Sequence, residues 1–184
     1  HLWSGSYESD LAGLPALHGE VAQAIAERIL VELSAEDRTR LTSPTPVNAA
    51  AYEAYLKGMY ALRRSAGGLV TGLGHFRSAV TADPRYPLGH LGLSLLHLQF
   101  ALGYDDPARA MEEARRCALE ALCLDATLAE PVSCLAWVAA FRDWEWGTAR
   151  RQFRCAIERN AGSSDAHRLY AWYLSVLGEH QEAI

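Results

Sequence analysis

The chain has 184 residues, half of them hydrophobic and 21% charged, with a formal charge of −5. That balance excludes a disordered chain, and it excludes a broad basic face for nucleic acid, which needs a surplus of Lys and Arg. No apolar run approaches the ~20 residues of a membrane span, and the opening HLWSGSYESD lacks the basic start and apolar stretch of an export signal.

LWSGSYESDL has the Gly, Ser and aromatic content of a strand end or loop. Leu14 to Leu33 follows as an amphipathic helix, with Leu17, Val21, Ile25, Ile29 and Leu33 at four-residue steps and Glu20, Gln23, Glu27 and Arg28 on other faces. LTSPTPVN, with two prolines in three residues, bars a continuous helix and places a boundary at Leu41 to Val47. This divides the chain into an N-terminal segment, 1–43, and a helical body, 44–184. Asn48 caps a helix from Ala49 to about Arg64. Gly67 and Gly68 break it, and a second helix runs from Leu69 to Ala82, ended by Asp83-Pro84. A third spans Leu88 to Leu102, and Asp105-Asp106-Pro107 starts a fourth that closes near Leu124. Ala129 to Arg142, Thr148 to Arg159, Asp165 to Leu177 and a segment beginning near Gln181 complete the series. The last pattern is still in progress at GEHQEAI and the chain opens without Met, so it reads as a piece of a longer protein.

Beneath these helices lies a recurrence. Gly72, Phe76 and Ala79 precede Asp83-Pro84; Ala114, Ala118 and Ala121 precede Asp125-Ala126; Ala149, Phe153 and Ala156 precede Asn160-Ala161. The first helices agree in part, through Leu88, Leu91-Gly92 and Leu95, then Leu135-Ala136, then Tyr170-Ala171 and Leu174. Gly178 and Ala183 fall at the corresponding turn and small-residue positions. This pattern resembles the tetratricopeptide repeat, over about Asn48 to Ile184, as three repeats and the start of a fourth. The turns at SAGGL and LGYDDPAR exceed the family's ~34-residue period, and no repeat carries the full motif. The resemblance implies an all-α fold, antiparallel helix hairpins stacked in a right-handed superhelix with the N-terminal helix as a cap. The first forty residues resemble the end of a TolB-like N-terminal domain, as found in multidomain bacterial regulators linked to cyclase, winged-helix or kinase domains. Asp143 to Trp146 resembles a motif of arrays in those proteins.

Candidate chemistry is sparse. Cys117, Cys123, Cys134 and Cys155 form no CxxC pair and no zinc spacing, so they read as buried, reduced thiols of a cytosolic protein. His90 and His97 lie ~10 Å apart along one helix, without an HExxH pattern. His167 reads as a packing residue and His180 as solvated. Gly67-Gly68 and Gly72-x-Gly74 have no preceding strand and no Gly-Lys-Ser/Thr, so no phosphate loop is expected. Nothing points to catalysis, a metal or a cofactor.

The resemblance implies a groove lined by first helices that takes peptides. Its inward positions carry over to Tyr52, Tyr55, Met59, Tyr86, Leu93, Glu130, Trp137, Arg168 and Trp172. An apolar, aromatic lining suits a hydrophobic segment of a partner protein; the alternative is that neighbouring helices cover some of these aromatics. The expected function is a non-catalytic protein-interaction or scaffold module of a bacterial signalling or transcriptional regulator, self-association included. No nucleic-acid or membrane partner is expected. The other reading is a ligand-sensing regulatory module. In DWEW, the resemblance puts Trp146 at the start of a second helix, packed within its hairpin, and Trp144 in the turn where glycine is common, covering it. Arg150, Arg151 and Arg154 are expected on the solvated side.

Overall fold

The computed structural model describes residues 17, 20, 21, 24, 25, 48–64, 68–103 and 106–181. The expected N-terminal loop, the boundary at Leu41 to Val47, and the eighth helix with Ala183 lie outside them. Among the described residues the fold is all-helical, with no strand. Seven helices run in order: α1 Ala49–Arg64, α2 Gly68–Ala82, α3 Pro87–Phe100, α4 Pro107–Leu124, α5 Glu130–Phe141, α6 Trp146–Arg159 and α7 Ser164–Val176. Leu17, Glu20, Val21, Ala24 and Ile25 are also helical.

The start signals are made as their chemistry predicts. Asn48 accepts from the amides of Ala50 and Ala51 at 3.0 and 3.2 Å, which satisfies two of the donors a helix start leaves open. Its Nδ2 donates to the carbonyl of Ala82 at 3.1 Å, so one side chain ties the start of α1 to the end of α2. Asp106 caps α4 through the Ala108 amide at 3.0 Å, and Ser163 caps α7 through Ala166 at 3.3 Å. Pro87, Pro107 and Pro131 sit in first turns, where no amide hydrogen is missed.

Among the described residues each helix packs on the next, and each odd-numbered helix also packs on the next odd one, α1 on α3, α3 on α5 and α5 on α7; the even-numbered helices do not meet. Small residues make these approaches possible. A Cβ built on Gly58 would lie 2.5 Å from the Phe76 ring and one on Gly92 would lie 2.3 Å from it, so Phe76 is held between α1 and α3. The Ser94 hydroxyl donates to the carbonyl of Ala114 at 2.8 Å, drawing α3 onto α4. Ala114, Ala118, Ala121, Ala149, Phe153 and Ala156, the recurring positions of α4 and α6, are all fully buried.

Trp146 lies where it was expected, whereas several other expectations change. Trp146 opens α6 and packs edge-on against Phe141, ring centroids 5.7 Å apart, while its carbonyl accepts from the Tyr173 hydroxyl at 2.7 Å. Trp144 has a φ of 59° and is 70% exposed, so it takes the left-handed conformation a glycine would favour, and its ring rests on that of Trp146. Arg151 and Arg154 are solvated, whereas Arg150 is half-buried, pairs with Glu179 and lies 5.9 Å over the Tyr173 ring. His167 is exposed rather than packed, because its ring turns back onto the carbonyl of Ala161, 2.9 Å away. His90 is the packed one, buried with its Nε2 2.9 Å from the carbonyl of Pro84. Of the cysteines, Cys117 and Cys134 are buried, Cys155 is half-buried and Cys123 is exposed.

Candidate functional site, a groove between the odd-numbered helices

Odd-numbered helices bring their side chains to a common groove. One part, about 370 Å³, is lined by Met59, Leu62 and Arg63 of α1, Leu95 and Gln99 of α3, and Ser164, Asp165 and Arg168 of α7. A narrower part of about 100 Å³ continues from Leu95, Gln99 and Arg168 to Leu98, Leu102, Trp137, Leu169 and Trp172. Leu95, Gln99 and Arg168 line both parts, so the two adjoin. Its walls are aliphatic and aromatic, and its charge is concentrated in one line: Arg168 donates to Asp165 at 3.2 Å, and Arg63 reaches the same carboxylate across the groove at 3.6 Å. Two guanidinium groups thus share one carboxylate, and Glu130 lies close by.

Four of the nine residues expected from sequence, Met59, Trp137, Arg168 and Trp172, meet here. Trp137 forms part of the wall but is only 3% exposed, with its ring 4.4 Å from Phe141 and 5.7 Å from Trp172. Its indole N–H is buried and has no acceptor among the described residues. Trp172 is 52% exposed. Arg168 is exposed as well.

The other five do not line it. Tyr52, Tyr55 and Tyr86 pack together with Ala51 and Leu88, the rings of Tyr55 and Tyr86 edge-on at 6.0 Å. Tyr52 and Tyr86 are buried, so they act as packing side chains here. Burial first, then the nearby carboxylates of Asp165 and Glu130, pushes the Tyr55 hydroxyl up to about 12. Burial raises Tyr86 further still. Glu130 accepts a hydrogen bond from Ser163 at 2.6 Å, which holds the start of α5 to the start of α7. Leu93 lies outside the groove: it is buried with Phe76, Leu96 and Cys117 and lines a separate recess with Arg77, Arg109 and Glu113.

The correction for Leu93 and Tyr86 is one of register. α3 offers three small residues close together, Gly89, Gly92 and Ser94, and the expectation matched Leu91-Gly92 to Leu135-Ala136 and Tyr170-Ala171. Ser94 faces α4, whereas Gly92 faces Phe76 of the preceding α2. A two-residue shift turns a helix by about 200°, so Leu95, Leu98 and Gln99 line the groove instead. Counting from Gly58 and Ser94 as equivalent places would have put Met59 and Leu95 together.

Among the described residues no three His, Cys, Asp or Glu side chains converge as metal ligands, and no helix is long and apolar enough to cross a membrane. Burial pushes the Cys117 thiol up to about 11 and the Cys134 thiol up to about 12, the latter partly offset by a hydrogen bond with Ser94. These two are protonated and poorly nucleophilic at neutral pH. No protein-family model, curated protein or solved structure matches the chain.

Proposed function

We propose that the chain is a non-catalytic protein-interaction module, a tetratricopeptide-type array of helix hairpins, whose groove takes an apolar segment of a partner protein. The observation that carries this reading is the channel from Met59 and Leu62 to Trp137 and Trp172. It is formed by four separate helices and ends on a half-exposed Trp172. Aromatic and arginine side chains around an apolar cleft are the composition of binding hot spots. Contacts between successive helices, with the odd ones adjoining each other, support a stacked array of hairpins in which first helices line one side. The exposed guanidinium donors of Arg63 and Arg168 favour a segment that carries a carboxylate or a chain of carbonyls beside its apolar residues.

In this reading the module belongs to a cytoplasmic bacterial signalling or transcriptional regulator and confers partner choice on the domains joined to it. The test is a thermal-shift screen of apolar and acidic-apolar peptides against small metabolites, repeated on Trp172→Ala. Peptides that raise Tm in the native chain and not in the variant support it. A metabolite that stabilises both, with no peptide active, refutes it in favour of a ligand sensor.

A further inference from the structure

The helices repeat one another closely enough to show which surface of α1 lacks a neighbour. Gly58, Ser94, Ala136 and Ala171 are the small residues at the same place in α1, α3, α5 and α7. Two residues to either side of them lie the positions turned toward the preceding helix. In α3 these are Gly92 and Leu96, in α5 Cys134 and Val138, and in α7 Leu169 and Tyr173; all six are buried. In α1 the same positions are Leu56 and Tyr60, 41% and 62% exposed. Tyr60 and Tyr173 are the same residue type at the same place, yet Tyr173 is 1% exposed because Phe153 and Trp146 of α6 cover it. Around Leu56 and Tyr60 there is instead an open cavity of about 590 Å³, which runs onto α2 at Gly68, Thr71 and His75. What buries each of the three equivalent faces is a helix that comes before it in the chain.

We propose that this seat is filled by the chain's own amphipathic segment, residues 14–33, docked on α1 as α2 docks on α3. Leu17, Glu20, Val21, Ala24 and Ile25 are helical, and Leu17, Val21 and Ile25 share one face at four-residue steps. A helix of that segment's length measures about 30 Å, enough to cover the about 24 Å of α1. Residues 34–47 supply up to about 46 Å of connecting chain, so the loop can close in either direction.

Charge selects this segment over a generic apolar helix. The rim of the seat carries Lys57 and Arg64, seven residues apart on α1, and His75. Lys57 already pairs with Glu53 at 2.7 Å, and Arg64 bonds the Tyr60 hydroxyl and lies 5.3 Å over its ring. Glu20 and Glu27 are also seven apart and flank the apolar stripe of the segment. Two pairs at the same ~10.5 Å interval set the docking register as well as adding attraction. The inference is independent of what the groove binds.

Hydroxyl-radical footprinting of the intact chain tests it, with tandem mass spectrometry to separate Tyr60 from Met59 and with Tyr173 as the buried reference. The seat predicts that Tyr60 labels nearly as slowly as Tyr173, independently of protein concentration. Glu20→Lys with Glu27→Lys raises Tyr60 labelling several-fold while Tyr173 stays protected, and adding Lys57→Glu with Arg64→Glu restores protection. Tyr60 labelling at the rate of exposed Trp144 in the native chain overturns the proposal. So does protection that grows with protein concentration, which assigns the seat to a second copy, or protection that the charge reversals leave unchanged.

Discussion

Gly92→Ala separates two opposing effects that the structure allows to be weighed. Replacing a mid-helix glycine by alanine favours the helix by about 1 kcal/mol, through reduced backbone entropy in the unfolded chain. At Gly92 the new Cβ would stand 2.3 Å from two carbons of the Phe76 ring, well inside van der Waals contact. Phe76 has no room to withdraw, since Gly58 presses on the same ring and the side chain is fully buried. Overpacking of this kind costs about 1–3 kcal/mol. The net expectation is a loss of about 1 kcal/mol, or about 2–4 °C in Tm for a chain of this size. Gly74 is the internal control, because a Cβ there meets nothing within 4 Å and the residue is exposed in the middle of α2. Gly74→Ala therefore raises Tm by a similar amount. Both are read by urea denaturation with the slope compared to the native chain, so that a change in midpoint alone reports stability. If Gly92→Ala were as stabilising as Gly74→Ala, α3 would not approach α2 through this residue and the register given above would be wrong.

Other consequences follow from the same geometry. Trp137→Ala removes a buried ring and costs about 3–5 kcal/mol in chemical denaturation, whereas Trp172→Ala, half-exposed, costs far less. Trp144→Gly relieves a left-handed backbone conformation worth about 1 kcal/mol, so the variant is at least as stable as the native chain by thermal denaturation. A thiol reagent at pH 8 modifies Cys123 first, Cys155 more slowly, and Cys117 and Cys134 only on unfolding, as peptide mapping over time will show. Alkali destabilises the fold. The Cys117 and Cys134 thiols rise from 9.0 to about 11 and about 12, so above pH 9 the unfolded state has lost protons that the folded state keeps, and stability falls as pH rises. Cys117 alone accounts for about 2 kcal/mol by pH 11, measured as the drop in unfolding free energy relative to pH 8.

The helices were legible because their punctuation is chemical. Asn48, Asp106 and the first-turn prolines act locally, and local signals survive in a sequence without its tertiary context. The recurring small and aromatic residues of α2, α4 and α6 were legible for a related reason, since only side chains of that size let neighbouring helices close up. The register of α3 was not. Nine of its fourteen residues are buried, so it shows little polar contrast around its circumference and nothing in its own sequence distinguishes Ser94 from Gly92. α5 is equally apolar, yet Ala136 is flanked by the larger Leu135 and Trp137, and there the expected groove residue Trp137 was found. Within the groove, Arg63 and Asp165 were not legible because their meeting depends on α1 and α7, which are separated by about a hundred residues of chain. Burial of Tyr52 and Tyr86 has the same origin: aromatic side chains at inward positions reach each other before they reach a partner.

The groove's role is tested most directly by selecting peptides from a random displayed library on the native chain and counter-screening them on Trp172→Ala, Arg168→Ala and Trp144→Gly. Selected peptides should be enriched in apolar or aromatic residues beside an acidic one. They should lose at least about tenfold in affinity on the first two variants, the loss of a single hot-spot contact of about 1.4 kcal/mol, and bind Trp144→Gly as they bind the native chain. Peptides that bind all three variants equally well would place the interaction outside the channel between Met59 and Trp172 and contradict the account.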